Sequence, residues 1–179
     1  MSMIRQAAAG SVAAFMLALS AGCATTPSAP ESPTAPSTIP ATPSPTPTLS
    51  SDEKAAGEAV IAFYRALNRV ASDPNVPLDT LYNVAGGELV AERLKIYQQS
   101  RAANRRQLGE AVPKIREVSG SSPFTVVACV DTTGLDVVDE HGNSVVPTGN
   151  PTLVLHRLTI DRVGELLVAV KDEVVSTPC

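Results

Sequence analysis

Between Ala24 and Leu49 the chain carries eight prolines, at positions 27, 30, 33, 36, 40, 43, 45 and 47. They are set among Thr, Ser and Ala, with Glu31 the one charge. Proline supplies no backbone N–H and clashes with the preceding helical turn, so neither a helix nor a strand ladder propagates through such a tract. Its natural conformation is polyproline II, a semi-rigid tether of roughly 3.1 Å per residue and so about 80 Å at most. Folding is thereby confined to residues 50–179. About 130 residues suffice for one domain with a real core.

What precedes the tract reads as an export signal. Met1 to Gln6 holds one cation, Arg5, and no acid; Ala7 to Leu19 is apolar; Ser20, Ala21 and Gly22 are small. The apolar run is too short to span a bilayer, which takes roughly 20 residues. Residues 1–23, ending Leu19-Ser20-Ala21-Gly22-Cys23, resemble a bacterial lipoprotein signal peptide, although Ser20 stands where that family prefers Leu. The resemblance implies removal of residues 1–22 and transfer of a diacylglycerol, with acyl chains such as palmitate, to Cys23. It also implies a site on the extracytoplasmic side of the cell membrane. Two acyl chains at about 0.8 kcal/mol per buried methylene anchor a protein without a transmembrane helix. An ordinary cleaved signal, with Cys23 a plain thiol, is the alternative.

In residues 50–179 the hydrophobic period changes once. Ser50 and Glu53 have capping-box spacing, and Ala56, Val60, Phe63, Leu67 and Val70 follow at intervals of 4, 3, 4 and 3, predicting a helix to about Ala71. A short helical turn is expected over Leu78 to Asn83. A second long helix is expected over Glu88 to Arg106, burying Val90, Leu94 and Tyr97. After Gly109 the segments Val112–Ser119, Thr125–Thr132, Leu135–Val138, Leu153–Arg162 and Leu166–Val175 are rich in β-branched residues and separated by Gly, Pro, Asn and Asp. Helices first and strands after predict an α+β fold, with N-terminal helices packed against a curved, cone-like antiparallel sheet of four to five strands.

Over residues 51–179 this element order, with Ala128-Cys129-Val130-Asp131, Leu135-Asp136-Val137-Val138-Asp139 and the terminal Cys179, resembles the nuclear-transport-factor-2-like (cystatin-like) superfamily, as in secreted actinobacterial lipoproteins. The resemblance implies a cone-shaped sheet around a pocket. It leaves function open, because the superfamily holds isomerases, cyclases and non-enzymatic binding or assembly modules. With Cys23 assigned to lipid, Cys129 and Cys179 remain as one disulfide pair; the alternative is two free thiols.

Chemistry-bearing motifs are sparse. The sequence has no phosphate-cradling glycine loop, HExxH, CxxC or GxSxG, and no metal or cofactor is expected. His156, on a predicted strand, is the natural acid/base candidate, with Asp131 or Asp136 as its partner and Tyr64 or Tyr82 as hydrogen-bond donors in a pocket. A sheet-face histidine making one hydrogen bond is the plainer alternative, and His141 reads as a solvated hairpin tip. Removing Arg5 leaves 13 of the 14 Lys and Arg against 18 Asp and Glu. That acidic balance, with no Trp and five Phe and Tyr after residue 50, argues against nucleic-acid binding. Arg93, Lys95, Arg101, Arg105, Arg106, Lys114 and Arg116 are a candidate basic patch for anionic lipid, cell-wall polymer or an acidic envelope protein. Helix C-terminal complementation and solvation are the alternative reading of those charges.

The sequence therefore points to a membrane-anchored envelope lipoprotein with a non-enzymatic binding or assembly module. The alternatives are a small isomerase- or cyclase-like enzyme working through His156, and a carrier of an apolar ligand. Homodimerisation is left open.

Overall fold

The computed structural model describes residues 48–179; the expected signal segment, Cys23 and the proline tract up to Pro47 lie outside the described residues. Helix α1 spans Ser51–Ser72 and starts at the capping box: the Ser50 hydroxyl accepts from the Glu53 amide at 3.2 Å, and the Glu53 carboxylate accepts from the Ser50 amide at 2.7 Å. That return bond from the Ser50 backbone holds the Glu53 carboxyl below its usual range. The stripe read from the sequence is the buried one, Ala56, Val60, Phe63, Leu67 and Val70, with Tyr64 beside it. A 3-10 turn over Leu78–Asn83 buries Leu81 completely.

Helix α2 spans Gly87–Ala102, four residues short of expectation. Asn104 adopts φ 50°, a left-handed conformation that asparagine tolerates and a continuing helix does not. Arg106 belongs instead to β1, Arg106–Leu108, which pairs antiparallel with β4, Asp136–Val138. Gly109, at φ +69°, makes this ribbon possible: a Cβ there would stand 1.9 Å from the Gly134 carbonyl oxygen. The sequence read the Leu135–Val138 segment as a strand of the sheet; it is a strand, but of a separate two-stranded ribbon.

The main sheet has four strands, β2 (Val112–Gly120), β3 (Phe124–Asp131), β5 (Leu153–Val163) and β6 (Leu166–Ser176), in the order β2-β3-β5-β6 and antiparallel throughout. The protein is thus α+β, with helices packed on one face of an open antiparallel sheet. Phe124, Val126, Ala128, Val130, Leu158 and Ile160 alternate inward to meet α1. Register shifts at Ile115/Glu117, Leu155/His156 and Thr159/Ile160 bend the strands they interrupt.

Two polar devices fasten the layers. Asn68, on the buried side of α1, accepts from the Ala111 amide and donates to its carbonyl, both at 3.0 Å, and accepts from Gln107 at 3.0 Å. Arg101 reaches from the last turn of α2 to the carbonyls of Val70 at 3.2 Å and Val76 at 2.6 Å, closing the C-terminal end of α1. On the sheet's other face Cys129 and Cys179 form a disulfide, Cα to Cα 5.8 Å, which straps the segment after β6 back across β5 to β3.

Candidate functional site

Four polar side chains from four elements meet where the inner face of the sheet runs out from under α1. His156 lies on β5 and Asp172 on β6, two pairing positions apart: Leu158 is opposite Asp172 and Val174 is opposite His156. Side chains in that diagonal relation share a face and reach one another. Lys171 and Glu173, on either side of Asp172, turn to the opposite face and pair with each other at 2.9 Å.

Asp172 is the hub. Its side chain is 3% exposed, and each oxygen takes one partner: His156 Nδ1 at 2.7 Å on Oδ1, and Arg93 Nη2, from α2, at 2.9 Å on Oδ2. A carboxylate this deep survives as an ion only when it is paired and hydrogen-bonded, which both contacts achieve. The Nδ1 contact fixes the imidazole so that Nε2 is its remaining polar atom. Tyr64, from α1, stands edge-on to the His156 ring, centroids 6.1 Å apart, and edge-on to Phe63 at 5.4 Å. Its buried hydroxyl lies near Asp172 but outside hydrogen-bond geometry, and the Nε of Arg93 is likewise buried without a partner. Burial first, and then the Asp172 charge, push the Tyr64 phenol well above its usual range, with Arg93 opposing. Tyr97, on α2, is pushed up to about 12 by burial, again with Arg93 opposing.

Of the residues grouped with His156 from the sequence, Tyr64 stands beside it, whereas the acid on its Nδ1 is Asp172 and neither Asp131 nor Asp136. Asp131 sits opposite Leu153 on the outer face of β3, where its carboxylate accepts from the Thr133 amide at 3.0 Å. The bonds from Thr133, followed by Lys114 nearby, hold it below the usual range. Asp136 is taken up by the Ser144 hydroxyl at 2.6 Å. Asp172 was missed because its immediate neighbours are charged, so Lys171-Asp172-Glu173 reads as a solvated run. Alternation along β6 gives no signal either: Leu167 and Ala169 are the inward positions there, and the register shift at Thr159/Ile160 changes the phase and brings Asp172 opposite the inward Leu158. Tyr82 is 59% exposed on the 3-10 turn. His141 stands at an exposed turn organised by the Asp139 carboxylate, which is held below its usual range by bonds from Asn143.

The expected central pocket is filled where α1 crosses the sheet: Val60, Phe63, Val126, Leu158 and Ile160 are fully buried there. The seven basic residues do not form one patch either. Arg93 is spent on Asp172 and Arg101 on backbone carbonyls. Arg105 and Arg106 share a surface cleft of about 400 Å³ with Asp139 and Glu140. Lys114 lies near Asp131 on the outer sheet face, while Lys95 and Arg116 are exposed. Of the seven, Arg93 alone forms an ion pair among the described residues, so the set is dispersed over the fold. Among the described residues, no three His, Cys, Asp or Glu side chains converge as a metal site would.

The fold has a counterpart among solved structures. The crystal structure of the intermembrane space region of the chloroplast protein ARC6 is similar over 73% of this chain and 100% of that one, with a TM-score of 0.54 and 12% identity. At that identity the likeness is one of fold. A de novo designed β-sheet protein solved by NMR is similar over 70% of this chain and 92% of its own, at 14% identity and a TM-score of 0.39. No protein-family model and no curated protein sequence matches the chain.

Proposed function

We propose that the protein is an envelope lipoprotein, anchored through acyl chains on Cys23 and held off the membrane by its proline tract, whose α+β module of the nuclear-transport-factor-2-like kind binds a partner without catalysing a reaction. The observation that carries this reading is the Cys129–Cys179 disulfide. Disulfides persist in oxidising, exported compartments, and this one leaves Cys23 as the odd cysteine, directly after an apolar, small-residue segment. Among the described residues no helix is long and apolar enough to cross a membrane, so the membrane contact is assigned to the lipid. The filled interior supports a surface-binding role for the module, with an envelope protein, a lipid or a cell-wall polymer as its partner.

Metabolic labelling with palmitate, followed by membrane fractionation, tests the anchor. Label is expected on the native chain and none on Cys23→Ala, which leaves the membrane fraction or accumulates uncleaved. Label retained in Cys23→Ala refutes the assignment. A second reading, a small isomerase- or cyclase-like enzyme, is favoured by the imidazole that Asp172 orients. It requires His156→Ala to abolish turnover while the fold survives.

A further inference from the structure

Arg65 and Arg69 stand one turn apart on the solvent side of α1, both exposed. Side chains at that spacing are neighbours, and like charges there work against the helix. Nothing earlier along α1 offsets them: Ile61 and Ala62 lie a turn before Arg65, and Arg65 and Ala66 a turn before Arg69. Among the described residues neither arginine forms an ion pair. Asp73, four residues beyond Arg69, is taken up by Asn75, which donates its backbone amide at 2.8 Å and its side-chain amide at 3.0 Å. Arg69, in the last turn, also complements the carbonyl end of the helix, whereas Arg65, a turn earlier, lies beyond that effect.

The pair forms a ridge between two surface clefts. The cleft toward β2, about 470 Å³, has Glu110 in its wall. The cleft toward the 3-10 turn, about 310 Å³, has no acid there. Ala62 and Ala66 leave it open on the helix side, and Asn83 and Val84 stand opposite. The cleft of Arg105 and Arg106, by contrast, contains Asp139 and Glu140.

We propose that the cleft between Arg65, Arg69 and Asn83 binds a phosphate monoester. The donor set selects the ligand. One guanidinium already satisfies both oxygens of a carboxylate as a bidentate pair, so two guanidiniums and an amide exceed what a carboxylate accepts. A phosphate monoester carries a charge of about −2 near pH 7 on three acceptor oxygens. It bridges both arginines, relieves their repulsion and leaves an oxygen for the Asn83 amide. The planar guanidinium fork suits such contacts better than a lysine would. The ester's organic part faces solvent, so a free ester and the headgroup of a phosphatidic acid share this chemistry. The assignment gives the binding module proposed above a ligand class and rests on that reading, though not on the anchor at Cys23.

Titration of the intact chain, disulfide formed, with glycerol 3-phosphate at constant ionic strength, followed through amide NMR resonances, tests the site at about pH 7.5, where the monoester is mostly dianionic. Saturable shifts are expected over residues 62–69 and 80–84 and at the Asn83 side-chain amide, with acetate binding much more weakly. Two exposed charge pairs at about 0.7 kcal/mol each correspond to about tenfold in affinity, the loss expected when Arg65→Gln and Arg69→Gln are combined. Both side chains are exposed, so the core is untouched by these changes. Combined Arg105→Gln and Arg106→Gln is expected to bind like the native chain. Dihexanoyl phosphatidic acid distinguishes the sources: tighter binding than glycerol 3-phosphate assigns the site to a lipid headgroup, and equal binding to a free ester. The proposal is overturned if no saturable shift appears at these residues or if acetate binds as tightly. It is equally overturned if the Arg65/Arg69 double variant stays within about twofold of the native affinity, or if the Arg105/Arg106 variant loses as much. Palmitate labelling of Cys23 is read separately, so the anchor and this site can fail independently.

Discussion

The disulfide offers the cleanest quantitative test of how this fold is stabilised. Cys129 is 3% exposed on β3, whereas Cys179 is exposed, so Cys179→Ser removes the cross-link without placing a hydroxyl in the core. The bridge spans a sequence separation of 50. In the chain-entropy treatment a loop of that length removes about 14 cal/mol/K from the unfolded ensemble, or about 4 kcal/mol at 25 °C. Few native contacts are lost with the bond, because residues 177–179 lie outside β6 and are exposed. Urea denaturation of the oxidised native protein and of Cys179→Ser, extrapolated linearly, should therefore differ by about 4 kcal/mol. At about 3 °C per kcal/mol for a domain of this size, the melting temperature should fall by about 12 °C. Reductant should bring the native protein down to the variant's stability and leave the variant unchanged. A difference below about 1 kcal/mol, or a reductant effect on the variant as large as that on the native chain, would refute the reasoning.

Other perturbations probe the layers beneath α1 and α2. Tyr97 has a folded pKa of about 12 against 10.0 for an ordinary tyrosine, because burial disfavours the phenolate. Its contribution is complete below about pH 10 and is lost as pH rises through about 12, about 3 kcal/mol in all, and Tyr64 acts in the same direction. Urea midpoints measured from pH 8 upward should drop steeply in the native chain and less steeply in Tyr97→Phe; equal slopes would contradict the assignment. Asn68→Ala should cost about 2–3 kcal/mol by chemical denaturation, since it strands both backbone groups of Ala111. A loss within about 0.5 kcal/mol would mean that solvent replaces the asparagine.

Legibility from sequence followed the range of the interactions involved. The α1 stripe and its capping box are contacts among residues three or four apart, and four of the expected strands appear in the sheet within a residue or so of their expected ends. The end of α2 was not legible, because Arg106 is claimed by a strand partner 32 positions away, Val138. The function of Asn68 was hidden for the same reason: a polar residue between Leu67 and Val70 looks like a flaw in an apolar face until Ala111 is placed against it. His156 and Tyr64 could be suspected from residue type. Asp172 could be chosen over Asp131 and Asp136 only once β5 and β6 were in register.

The sequence by itself determined where α1 begins, through the Ser50–Glu53 capping box, and the α+β order, through a period that shifts from helical to alternating near Gly109. Those are local properties of backbone and side chain. Tertiary structure decided which charges meet: it spread a run of basic residues over separate places, drew Arg93 alone of them into an ion pair among the described residues, and made one buried aspartate the centre of the polar cluster. Charge pairing depends on distance in space and on burial, and neither is a function of spacing along the chain.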